Sequence, residues 1–267
     1  RQISFGQALA TVVGTVIGGG VFFKIGSISH ETGTPSLTLF VWILAGIVSI
    51  ASGLTVSEIA AALPVTGGSI KYIEYTYGKV WGFLFGWAQM LVYFPANIAA
   101  LSVVFGQQFA VLFGFPTKYA TLIALLLALF LMGLNFISTK FSTRMQSAMT
   151  ILKAIPIALI VIFGLFNSTK INVNLLPLSS GHNISFWAGL SGGLLAALFA
   201  YDGWINVTNL AGEVKEPEKN LSRAIIIGLS AITLIYVLVN YAFLTAIPFK
   251  EIIGNQNTAY LASLKLF

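Results

Sequence analysis

The sequence predicts an all-α integral membrane protein with interrupted first and sixth spans, on three observations: its composition, seven long apolar blocks, and polar or glycine-rich breaks inside two of them. Of its 267 residues 57% are hydrophobic and 8% charged, and the mean hydropathy is +0.90. A soluble domain carries roughly 25% charged residues, so the solvent this chain expects is lipid.

A spanning helix needs about 20 largely apolar residues to cross a hydrocarbon core of about 30 Å. Blocks of that kind lie at residues 3–28, 37–63, 80–105, 119–137, 148–166, 186–211 and 224–247. The short segments between them are rich in Gly, Pro, Ser, Thr and charge, as loops at a membrane surface are. A transmembrane barrel would instead show segments of about ten alternating residues. Beyond Ile247 the chain turns polar over 249–257 and begins another apolar stretch at 260–264. The expectation is one transmembrane domain over residues 1–267, trimmed ahead of Arg1 and holding spans 1 to 7 of a longer protein.

The first block contains Gly14-Thr15-Val16-Ile17-Gly18-Gly19-Gly20. Each glycine costs a helix interior roughly 0.8–1 kcal/mol relative to alanine, so the run is a severe weak point. At 1.5 Å per residue Gly14 lies about 17 Å from Ile3, near mid-membrane. The second block carries Glu58 ahead of Leu63-Pro64-Val65-Thr66-Gly67-Gly68, where a structural or gating role is expected. In the third, Gly82 and Gly86 have the GxxxG spacing of closely packed helices, which Gly189 and Gly193 in the sixth share. Gly14 and Gly18 have it too, so close packing is the alternative reading of the first break.

Lys153 lies inside the fifth block, about 14 Å along from Arg144. A charge at the centre of a span costs at least ~2.5–3.5 kcal/mol, so it must face the bundle interior and have partners. There its ammonium can hydrogen-bond freed carbonyls of the first span; the alternative is a lysine snorkelling to the surface. The sixth block carries Phe199-Ala200-Tyr201-Asp202-Gly203-Trp204, with Asp202 about 24 Å from Phe186. Asp202 either binds an ammonium or caps the second half of its helix. Tyr201 and Trp204 are lids over a bound solute or core aromatics.

Breaks in spans one and six, five spans apart, fit a five-helix repeat with a site between its two broken members. If the second half of span one starts at Gly18 to Gly20, its free N–H groups and positive dipole end suit a carboxylate. The first halves end there too, offering the carbonyls of Thr15, Val16, Phe199, Ala200 and Tyr201 to a cation. Donors for a carboxylate beside acceptors for an ammonium describe an α-amino acid.

Other chemistries drop out. There is no cysteine, and His30 and His182 stand far from any carboxylate cluster, so no metal and no cofactor are expected. The net charge of +6 comes from 14 scattered Lys and Arg, never a run, which argues against nucleic acid. An intramembrane enzyme lacks support, with no nucleophile–base pair and no HExxH motif; a channel would line a continuous pore with rings of like charge. With the N-terminus cytoplasmic, Arg1, Lys71, Lys79, Lys140, Arg144, Lys215, Lys219 and Arg223 fall inside, against Lys24, Lys118, Lys170, Lys250 and Lys265 outside. The positive-inside rule therefore predicts a multi-pass protein with a cytoplasmic N-terminus.

Three ordered motifs run across almost the whole chain: Val13 to Phe22 around the glycines, Glu58 with Leu63 to Gly68, and Phe199 to Trp204 with Gly212 to Pro217. Together they resemble the amino acid, polyamine and organocation (APC) transporter superfamily, more narrowly its L-type (LAT) branch and the bacterial exchangers of small neutral amino acids. The resemblance implies a LeuT-like fold of two inverted five-helix repeats and twelve spans, about seven of them present here. It implies sodium-independent antiport of residues such as alanine, serine, threonine or cysteine by alternating access, in the plasma (inner) membrane. A bacterial member would need no glycoprotein partner. By the same resemblance Gly18, Gly19 and Gly20 bind the carboxylate, and Phe199, Ala200 and Asp202 the ammonium. Lys153 matches a lysine standing in place of a sodium site, and Tyr236 a tyrosine that couples the gate to that lysine. Proton-coupled symport, with Lys153 or Glu58 as carrier, is the alternative. The family core also needs helices eight to ten, which this chain does not contain.

Overall fold

A computed structural model describes residues 2–137, 139–166, 171–181 and 183–267. Arg1, Lys170 and His182, and the side chains of Lys140 and Arg144, lie outside that description, so the loop-charge count and the His182 argument rest on sequence there. Among the described residues five helices are long and apolar enough to cross a membrane. Two further helix pairs, bent by 49° and 41°, raise the total to seven if each pair is one span. The seven apolar blocks correspond to these seven units.

Ends of helices fall where the sequence supplies caps. Ser4 starts α1 (Phe5–Val16) with a capping box: the Gln7 N–H donates to the Ser4 hydroxyl at 3.5 Å, and the Ser4 N–H to Gln7 Oε1 at 2.9 Å. α2 (Gly20–Thr32) ends at Gly33, whose φ of 70° suits glycine. Thr34 caps α3 (Pro35–Ala62), with proline in the first turn where its missing N–H costs nothing. After α4 (Gly68–Tyr77), the third span is longer than the sequence suggested, at 35 residues. It joins α5 (Lys79–Ala88), a π-helical turn at Gln89–Tyr93 and α6 (Phe94–Phe113). Pro95 removes one rung of the ladder, and the wider turn just before it absorbs the mismatch. There follow α7 (Ala120–Ile137), α8 (Thr139–Phe166) and α9 (Phe186–Ala200), which Ser185 caps. A 3-10 helix (Trp204–Glu213), α10 (Pro217–Ala246), α11 (Phe249–Ile252) and α12 (Thr258–Leu266) complete the chain.

The chain divides into two compact units, one of the described residues up to Tyr72 and from Ile155 onward, the other of Ile73–Ala154. In the first unit the two bent pairs run antiparallel: α1 packs on the 3-10 helix and α2 on α9. Backbone ties hold both ends of this arrangement. The Ile3 N–H donates to Glu213 O at 3.0 Å and the Lys215 N–H to Ile3 O at 2.9 Å; at the far end the Gly181 N–H donates to Thr32 O at 3.0 Å. Gly189 and Gly193 serve packing: a Cβ on them would stand 3.1 Å from Glu31 O and 2.8 Å from Thr32 Cγ2. α3 and α10 cross behind the pairs, with Gly46 against Thr233 and Gly53 against Ile225. The core gathers on α10, where Ile225, Leu229, Ile232, Tyr236 and Phe243 are fully buried.

In the second unit the third span pairs with α7, and Gly106 allows the two backbones to touch at Ala120. Phe83, Leu112 and Phe130 are exposed there, as side chains facing lipid are. Lys24, counted among the charges outside, lies inside α2, half-buried within the first bent pair.

Candidate functional site at the paired helix breaks

Both predicted breaks are present, and they lie side by side. α1 ends at Val16, Ile17 is extended (φ −68°, ψ 94°), and α2 restarts at Gly20 with Gly19 at its cap position and no side chain capping it. α9 ends at Ala200, and the chain turns through Tyr201 and Asp202 to Gly203, whose φ of 111° is disfavoured for any residue with a Cβ.

Two contacts lock the breaks together. The Thr15 hydroxyl donates to Gly203 O at 3.1 Å, and a Cβ on Gly203 would lie 2.9 Å from Thr15 O. On the other side a Cβ on Gly20 would lie 3.0 Å from the Ala200 methyl and 3.1 Å from its Cα. Replacing Gly203 with alanine combines this clash with backbone strain of roughly 1–3 kcal/mol. A marked fall in the thermal unfolding midpoint of the purified protein is expected; an unchanged midpoint would show that the crossing is looser than described.

Tyr236 joins the two half-helices from α10. Its fully buried hydroxyl lies 3.0 Å from Val16 O and 3.0 Å from Ala200 O, the last carbonyls of α1 and α9. One proton serves two acceptors, so the hydroxyl donates to either. Its ring packs edge-on against Trp42 (centroids 5.3 Å apart) and Tyr201 (5.1 Å), while the Tyr201 hydroxyl donates to Trp42 O at 3.0 Å. The three buried rings make a rigid floor beneath the breaks.

This geometry sorts the expected backbone ligands. Thr15 O abuts Gly203, and Phe199 O accepts the Asp202 N–H at 3.4 Å. Val16 O and Ala200 O are oriented by Tyr236 but not exhausted, since a carbonyl has two lone pairs. On the donor side, among the described residues and apart from its two chain neighbours, only Val16 O, at 3.8 Å, comes within 4 Å of a Cβ position on Gly18, so space opens beside this glycine. The Phe22 N–H is taken by Gly19 O at 2.9 Å, leaving the earlier N–H groups of α2 and its positive end to face that space.

The remaining sequence-derived residues fall differently. Tyr201 is fully buried, and the Trp204 ring packs near Gly53 of α3. Asp202 is half-buried, and the cap position of the 3-10 helix falls on Gly203 instead. Ile17 is buried, and Glu58 is exposed on α3 away from the contacts that join the breaks. Lys153 is half-buried on α8 and belongs to the second unit, whereas the breaks belong to the first.

Two residues near the breaks were not anticipated. Trp42 sits in the unbroken apolar run of residues 39–48, so no pattern marks it. Lys24 places its ammonium 4.2 Å from the centre of the Phe199 ring. Its spacing of four from Gly20 puts both on one face of α2, a signal the count of outer charges passed over.

Comparison with known proteins agrees with this architecture. Residues 3–266 match the family described as amino acid permease. The chain is 41% identical over 273 residues to the serine/threonine exchanger SteT of Bacillus subtilis, covering 100% of this chain and 60% of that protein. It is 31% identical over 274 residues to the large neutral amino acids transporter small subunit 2 of Mus musculus, and 28% identical over 276 residues to the Asc-type amino acid transporter 1 of Homo sapiens. Each alignment takes in 100% of this chain, but only 51% and 52% of those proteins. The chain thus spans about half or somewhat more of the length of its relatives. With the match running through both broken spans and the contacts that join them, the chain belongs to the amino acid permease family.

Proposed function

We propose that the protein containing this chain exchanges small neutral L-amino acids, such as alanine, serine, threonine or cysteine, across the plasma (inner) membrane without sodium and without covalent chemistry. The observation that carries this reading is the Tyr236 hydroxyl lying 3.0 Å from the end carbonyls of both broken helices, beside the uncapped start of α2. A substrate carboxylate would sit at Gly18, Gly19 and Gly20, and its ammonium at the carbonyls of Val16, Ala200 and Tyr201, with Asp202 adding negative charge nearby. Binding favours a closed state because only then are all the freed backbone groups paired. The names of the relatives, an exchanger of serine and threonine and two transporters of amino acids, support the same class of cargo.

Lys153 enters through the resemblance, as a fixed ammonium in place of sodium; Glu58, by its place ahead of Leu63 to Gly68, is a structural or gate element. The distribution of loop charges supports a cytoplasmic N-terminus, and residues 1–267 form part of a single transporter domain.

The test is uptake of radiolabelled serine or alanine by proteoliposomes holding the full-length protein in sodium-free buffer. Uptake is expected only when unlabelled amino acid is inside, and is expected to be lost in Lys153→Ala. Uptake into empty vesicles that follows an imposed proton gradient would replace exchange with symport. No uptake under any loading would sink the assignment to small neutral amino acids.

A further inference from the structure

Lys24 is a cation inside a bent span with aromatic neighbours on two sides. Its ammonium stands 4.2 Å from the centre of the Phe199 ring and 5.8 Å from that of Phe23. Among the described residues no carboxylate forms an ion pair with it. Aromatic faces attract the cation but leave its charge uncancelled. A lysine inside a membrane span without a countercharge calls for a function.

Its position suggests one. Lys24 follows Gly20 by four residues, about 6 Å along α2, and helix side chains lean back toward the N-terminus, here toward the break. Gly20 touches Ala200, and Phe199 is the next residue of α9. The Lys24–Phe199 contact therefore spans the same α2–α9 seam as Gly20–Ala200, one turn farther from the break. Both halves of this seam flank the site assigned above to an α-amino acid: carboxylate at the start of α2, ammonium at the end of α9. In that pose the substrate's own side chain would leave from between those anchors, along the seam that Lys24 borders.

We infer that Lys24 is a specificity-determining residue whose ammonium, held over Phe199, excludes amino acids with cationic side chains. The inference rests on the amino acid site proposed above. Two like charges about 6 Å apart, at an effective dielectric of ~20, repel enough to alter relative affinity on the order of a hundredfold. A neutral side chain meets no such penalty. If Lys24 instead only snorkels to the surface, its charge has no bearing on selection.

The experiment is competition binding to the full-length protein in lipid nanodiscs, with radiolabelled L-serine or L-alanine displaced by unlabelled L-serine, L-alanine or L-lysine. For the wild type and Lys24→Arg, L-lysine is expected not to displace the label. For Lys24→Gln it is expected to compete at a concentration at least ~10-fold lower, with self-competition by the labelled amino acid changed less than ~3-fold, a conservative fraction of the Coulomb estimate. Displacement by L-lysine from the wild type as readily as by the labelled amino acid overturns the inference without any variant. Equal exclusion of L-lysine by wild type and Lys24→Gln overturns it too. Absence of serine and alanine binding to the wild type removes the small-neutral-amino-acid reading, and this inference falls with it; normal binding with unchanged discrimination removes this inference alone.

Discussion

Tyr236→Phe is expected to remove most exchange activity while keeping the aromatic floor in place. The substitution deletes one oxygen and leaves the ring, so the packing against Trp42 and Tyr201 at 5.3 and 5.1 Å is retained. What is lost is the donor placed 3.0 Å from both Val16 O and Ala200 O. A buried acceptor left without a partner costs about 1–3 kcal/mol. If that cost falls on the closed state, exchange drops by about tenfold to a hundredfold, since about 1.4 kcal/mol corresponds to a factor of ten. Proteoliposome exchange and thermal unfolding, each measured with and without serine, separate the two contributions. Unaltered exchange would mean that the carbonyl ends of α1 and α9 need no donor from α10.

Gly18→Ala is expected to reduce serine binding at least tenfold without disturbing the unliganded fold. Among the described residues, its two chain neighbours aside, only Val16 O, at 3.8 Å, approaches the position where the new methyl would stand, and Gly18 does not have the positive φ that a side chain would oppose. The methyl would occupy space assigned to the substrate carboxylate, and each lost charge-assisted hydrogen bond is worth about 1.5–3 kcal/mol. Gly20→Ala is the contrasting case. Its methyl would meet Ala200 at 3.0 Å, so a lower unfolding midpoint is expected before any effect on binding. The measurements are serine affinity and unfolding of the unliganded protein. Normal serine affinity in Gly18→Ala would place the carboxylate elsewhere.

Much of this arrangement was legible in one dimension. Lipid admits only segments that satisfy their own backbone, so long apolar runs between polar loops count the spans directly. Three consecutive glycines, and an aspartate beside a glycine, stand out against such runs because both oppose an uninterrupted apolar helix. The two bends fall at those points. Fine assignments at the breaks were less legible. Tyr201 and Trp204 carry the same aromatic signal, yet one closes the core and the other leans on α3. Asp202 and Gly203 are neighbours, and the cap position falls on the glycine. Lys24 entered only the count of outer charges, because charge ordinarily marks the end of a span.

The sequence by itself determined the solvent, the apolar blocks, the two places where helix gives way and the residue types that stand at them. Those properties follow from local composition, which transfer into lipid weighs segment by segment. Only the tertiary structure decided that the breaks lie against each other, that one tyrosine hydroxyl meets both, and that a lysine one turn beyond Gly20 stands over Phe199. These are contacts between residues up to 220 positions apart. Their register is set by where glycines let backbones approach, and by how α3 and α10 pack against the paired spans.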